Sequence, residues 1–184
     1  MIYCANNLLC IIKNGWFDID MKSLLIMGAG GYGRYIKDLA ETLGYGEIEF
    51  LDDESPLAIG KLKDINIYKD NFDEVIIAIG NPLIRKHYFN VIQNHAILIH
   101  PTAVISKNAK LCNGVIIEAN AVIANEVVIK EGTFICAGSV VNHNAIVNQF
   151  CQIDCNSVVG SYSVVPEGMK VNSCQFWYNT DNYS

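Results

Sequence analysis

"ICAGSVVNHNAIVNQFCQI", residues 135–153, decides the fold. Ile135, Val141, Val147 and Ile153 stand six residues apart, and the small residues Ser139, Ala145 and Cys151 follow the first three at a distance of four. The same step runs outward through Ile105, Leu111, Ile117, Ile123 and Ile129 on one side and Val159, Val165 and Val171 on the other. A period of six is neither the 3.6 of a helix nor the alternation of a long strand. It is the mark of a hexapeptide β-helix, in which each hexad makes one short strand and a turn, and three close a triangular coil of about 18 residues. The aliphatics should stack inside the prism, with the small residues at its corners. Nearly four coils are expected, with 99–171 as the β-helix and 172–184 as a tail.

Residues 21–98 read differently, as alternating strands and helices, which predicts a small parallel α/β sheet, a Rossmann-like domain. "SLLIMG" and "EVIIAIGN" are short apolar runs suited to strands covered on both faces, and "EIEFLDD" is a third strand. "YGRYIKDLAETLGYG" has apolar residues at helical spacing and stops at Gly44, and "PLIRKHYFNVIQN" is a helix opened by Pro82. Between the first strand and helix lies "GAGGYG", with Gly28, Gly30 and Gly33 in G-x-G-x-x-G spacing. Such glycines let a phosphate approach the backbone at a helix N-terminus, and Asp52 and Asp53 end the next strand at about the distance of a ribose-binding acid.

The totals narrow the function. Net charge is −6 and no Lys/Arg cluster exceeds two or three residues, so nucleic acid is not an expected partner. No apolar run is long enough for a membrane span. Seven cysteines without a C-x-x-C pair read as small buried side chains in a cytoplasmic protein, not as a zinc site or a disulfide framework. Residues 1–20 lack signal-peptide character and read as an extension without a functional role, since "MKSLLIMGAGGYGR" from Met21 resembles a protein start.

Four histidines occur, and His87, His95 and His100 lie where surface or structural roles suffice. His143 sits within the repeat, two residues past the inward Val141, and should project from the prism. Taken alone, it is an ordinary exposed histidine.

The order "LLIMGAGGYG", "EFLDDE", "VIIAIGNPLIRK", "LIHPTAVIS" and then hexads containing "SVVNHNAIV" resembles the NeuD/PglD-like family of sugar acyltransferases, over about residues 22–170. The resemblance implies a left-handed β-helix that binds acetyl-CoA, a Rossmann-like domain that binds a UDP-linked amino sugar, a homotrimer, and no metal. It implies Gly30, Gly31, Tyr32, Asp52, Asp53, Gly80 and Asn81 as substrate-binding residues, with Arg85 completing the "AIGNxxxR" match. It implies His143 as the base that takes the amine proton, with Asn144 beside it, and Ser161, one coil on, as an N–H donor near the acyl donor.

This chain departs from the family pattern in three places. Asn142 and Asn144 replace flanking acids, Gln152 stands where a second histidine is common, and the closing G-x-P-A-[KR] segment is missing. An acid restored by Asn144→Asp is expected to raise the rate. The implied function is N-acetylation of a UDP-linked 4-amino sugar for surface glycan biosynthesis, with sugar O-acetylation and a non-catalytic nucleotide-sugar scaffold as alternatives. An NAD oxidoreductase would leave the β-helix without a role, and a β-helix carbonic anhydrase needs three histidines where the hexads supply one.

Overall fold

A computed structural model describes residues 21–179 and, of the first twenty, only the backbone of β1 (Ile2–Cys4), β2 (Leu8–Lys13) and β3 (Trp16–Ile19). The expected lack of a role for residues 1–20 lies outside the described side chains. The α/β part follows with β4 (Ser23–Met27), α1 (Gly31–Thr42), β5 (Glu47–Leu51), α2 (Ile65–Tyr68), β6 (Glu74–Ile77) and α3 (Pro82–Phe89). Its three strands are parallel in the order β5-β4-β6. β4 is central, and Leu24, Leu25, Ile26 and Met27 are fully buried, which is why that run is continuously apolar. Helix α1 ends where the sequence implies, with Leu43 as C-cap and Gly44 at φ +88°. Helix α3 is shorter than its sequence suggests. After Phe89 the chain makes tighter turns, Val91 N–H to Tyr88 O and Ile92 N–H to Phe89 O, and the Phe89 ring stacks on His95 at 3.8 Å. Among the described residues no helix is long and apolar enough to cross a membrane.

From Leu98 the chain winds into a left-handed parallel β-helix. Each two-residue strand pairs with the strand 18 residues on, as in Ile116 with Phe134 and Val140 with Val158. Three faces result. The first holds 98–99, 116–117, 134–135, 152–153 and 170–171; the second starts at 104–105 and the third at 110–111. Ile117, Ile135, Val141, Val147, Ile153, Val159 and Val165 are fully buried in the prism, as are Ala121, Ser139, Ala145, Cys151 and Ser157 beside the corners. The coil continues past residue 171, because Phe176–Trp177 pairs with Val158–Val159 and extends the second face into the expected tail.

Every hexad from Gly114 to Cys174 turns through one residue with positive φ: Gly114, Asn120, Glu126, Gly132, Gly138, Asn144, Phe150, Asn156, Tyr162, Gly168 and Cys174. Glycine and asparagine accept this region readily, so the six-residue step of Gly and Asn is a second, weaker copy of the aliphatic repeat.

The two parts pack together through the first face. Its outward residues Leu98, Ile116 and Phe134 are buried against Leu24, Ile26, Ile36, Phe50 and Ile76 of the α/β part. The next outward residues on that face are Gln152 and Lys170, polar where this cover ends. Arg85 joins the halves. Its guanidinium donates to Ile79 O (2.8 Å) and Gly80 O (2.9 Å) on one side, and to Gly132 O (3.1 Å), Cys151 O (3.3 Å) and Phe150 O on the other. It also lies over the Phe134 ring, 4.2 Å from its centroid. Burial pulls its pKa down to about 10, which leaves it charged at neutral pH.

Candidate active site

The carboxyl ends of β4, β5 and β6 gather most of the sequence-predicted substrate residues, the usual place for a ligand on an open parallel sheet. Two of the glycines are fixed by the fold. A Cβ on Gly33 would lie 1.9 Å from Gly28 O, and Gly28 itself has φ +103°. Gly30, Gly31 and Gly80 have no atom within 4 Å of an added Cβ, so their backbone faces open space. Gly30 caps α1 in an extended conformation, and Gly31 opens the helix, whose N-terminus favours an anion.

Asp52 is engaged by the protein. One carboxylate oxygen accepts Ala29 N–H (2.8 Å), and the other accepts Glu54 N–H and Ser55 N–H (2.9 Å each). Partial burial pushes this carboxyl up, but the three N–H donors outweigh it and hold its pKa below the usual value. Asp52 therefore ties the loop after β5 to the glycine loop. Asp53 accepts Leu62 N–H at 3.1 Å, and Asn81 caps α3 by accepting Leu83 N–H at 2.9 Å. The Tyr32 ring turns toward the domain junction, 5.1 Å from Phe134, with its hydroxyl buried. Burial, then the Glu118 carboxylate, drives that hydroxyl's pKa well up. Of the predicted set, the backbone of Gly30, Gly31 and Gly80 faces open space, and Asp53 and Asn81 are exposed beside it.

His143 occupies the corner between the second and third faces, after Val140–Val141 and before Ile146–Val147. Its side chain is exposed, and the Tyr162 ring meets it edge-on at 5.3 Å. One coil later on the same corner lies Ser161, beside Tyr162, whose N–H donates to His143 O (3.2 Å). His143 Nδ1 is 3.1 Å from Asn144 Oδ1, and Asn144 Nδ2 is 2.6 Å from Glu126 Oε2. Asn144 also donates its backbone N–H to Asn125 O, which fixes the corner. Gln152 is on the first face, away from His143.

The sequence reading missed Glu126. It found no acid flanking His143 and overlooked the coil below, although 144 minus 18 is 126 in a fold with an 18-residue repeat. The expectation for Asn144→Asp does not stand. An Asp there would set one carboxylate against another, where the amide now bonds Glu126 at 2.6 Å.

The glycine loop and His143 are not brought together within one chain. The α/β part covers the first face, and His143 is on the corner opposite that face.

The family model of the PglD N-terminal domain matches residues 23–92. Among solved structures, the chain is similar to the acetyltransferase domain of PglB from Neisseria gonorrhoeae in complex with acetyl coenzyme A. The TM-score is 0.66 at 26% identity, over 85% of this chain and 87% of that one. PerB from Caulobacter crescentus, in complex with CoA and GDP-perosamine, shares the fold with a TM-score of 0.60 at 17% identity, over 84% and 91%. WeeI from Acinetobacter baumannii does so with 0.62 at 18%, over 82% and 88%. The α/β half thus matches the PglD N-terminal domain, and the likeness to the PglB acetyltransferase domain runs through both halves in one order.

Proposed function

We propose that the protein is a cytoplasmic N-acetyltransferase that moves the acetyl group of acetyl-CoA to the 4-amino group of a UDP-linked amino sugar. The observation that carries this reading is the exposed imidazole of His143, with Nδ1 3.1 Å from Asn144 Oδ1; with the ring hydrogen on Nδ1, Nε2 is the nitrogen that takes a proton. The acetyl-CoA in the PglB acetyltransferase domain supports the choice of donor. The sugar nitrogen attacks the thioester carbonyl; the N–C bond forms and the C–S bond breaks. His143 Nε2 accepts the amine proton and returns it to the departing CoA thiolate. Ser161 N–H is the proposed donor near the acyl group. The nucleotide would meet the open backbone at Gly30, Gly31 and Gly80.

Since the glycine loop and His143 lie on opposite sides of one prism, the proposed homotrimer would set the base of one subunit beside the nucleotide domain of the next. The outward residues Val104, Val122, Val140, Val158 and Phe176 on the second face form a stripe suited to such packing, with Val104 62% and Phe176 66% exposed.

The test is release of CoA thiol with a panel of UDP- and GDP-linked amino sugars, GDP being included because the PerB structure contains GDP-perosamine. His143→Ala should lower kcat by about 10²–10⁴-fold and leave the fold intact. Turnover unchanged in that variant would remove His143 from the mechanism.

A further inference from the structure

We infer that Glu126 is a positioning residue for the base, acting through the Asn144 amide to set the tautomer of His143. The inference rests on the reading of His143 as the base. The chemistry is directional. A carboxylate has no hydrogen to give, so Glu126 can accept only from the NH₂ of Asn144, at 2.6 Å. That contact fixes which way the amide faces, and its carbonyl oxygen is left toward His143 Nδ1 at 3.1 Å. A carbonyl oxygen only accepts, so Nδ1 must carry the hydrogen. Nε2 is then the unprotonated nitrogen, the form a base needs. Without the carboxylate the amide could turn over, offer its NH₂ to Nδ1, and stabilise the tautomer whose Nε2 is already protonated.

The fold places these groups on its own. Glu126 and Asn144 are both corner residues with positive φ (58° and 61°), stacked one coil apart. Among the described residues no lysine or arginine pairs with Glu126, although Lys107 and Lys110 line the same groove. The carboxylate is thus carried one coil below the histidine and relayed by an amide.

The experiment compares wild type, Glu126→Gln, and the double variant Glu126→Gln with Asn144→Asp. Long-range ¹H–¹⁵N spectra of histidine-labelled protein at alkaline pH report which ring nitrogen holds the hydrogen. The His143 signals are identified by their loss in His143→Gln. Wild type should show a protonated Nδ1 and a bare Nε2. Glu126→Gln should populate the opposite tautomer and lower kcat about tenfold or more, with KM for acetyl-CoA unchanged. The double variant puts the carboxylate directly on Nδ1 and lets the amide introduced at position 126 donate to it, so tautomer and kcat should return toward wild type.

The spectra need no substrate, so they test the relay apart from the acetyltransferase reading, which His143→Ala tests by turnover. A bare Nδ1 in wild type, an unchanged tautomer in Glu126→Gln, or no rescue in the double variant would overturn the inference. A shifted tautomer with unchanged kcat would overturn its catalytic part.

Discussion

Arg85→Ala should cost the protein about 3–5 kcal/mol, most of it from two carbonyl groups. Arg85 is 1% exposed and donates to five backbone oxygens, three of them across the domain junction. Ile79 and Gly80 lie near the surface, where water can replace the lost donor, and Cys151 O keeps Phe134 N–H at 3.0 Å. Gly132 and Phe150 are buried, so each of their carbonyls would lose its donor in a dry place, at about 1–3 kcal/mol apiece. Loss of the contact over Phe134 adds about 1 kcal/mol. Relief of keeping the cation out of water offsets part of this. Arg85→Lys keeps the charge but replaces a planar fork of five donors with three on one nitrogen, and should cost about half as much. The assay is equilibrium unfolding in urea followed by circular dichroism, at one protein concentration because assembly would shift the midpoint. A loss below about 1 kcal/mol for Arg85→Ala would refute the assignment of Arg85 as the link between the halves.

The glycine loop should divide by position. Gly33→Ala forces a carbon to 1.9 Å from Gly28 O and should unseat α1, seen as a lower melting temperature, whereas a Cβ at Gly30 meets no atom within 4 Å, so Gly30→Val should melt near wild type yet lose nucleotide-sugar affinity by calorimetry. For Asp52 the folded pKa is depressed, so its stabilising contribution is present above the unfolded carboxyl pKa and is lost as pH falls through the folded one. Urea midpoints measured between about pH 6 and pH 3 should therefore fall less steeply for Asp52→Asn than for wild type, and parallel curves would contradict the role of Asp52 as a loop clamp.

Much of the fold was legible because its signals are local and repeated. The six-residue step of aliphatics from Ile105 to Val171 dictates the prism, since only one register hides every one of them. Gly28 and Gly33 were legible too, because a strand that turns at once into a helix needs a backbone without side chains there. The chain also named the exposed histidine of the repeat, His143.

Tertiary structure decided the rest, wherever a residue's role depends on a neighbour distant in sequence. Leu98, Ile116 and Phe134 point outward by the hexad rule and are buried only because a second layer covers their face. Asp52 reads as a ligand-binding acid in the sequence, but its oxygens go to the backbone of Ala29, Glu54 and Ser55. Arg85, part of a motif attached to the nucleotide loop, spends its hydrogen bonds on the domain junction. Asn144 looks like a lost acid until stacking of the coils brings the Glu126 carboxylate to 2.6 Å from its amide. Period and propensity are written in consecutive residues, whereas the partner of a carboxylate, a guanidinium or an amide is set by which coils and layers lie against one another.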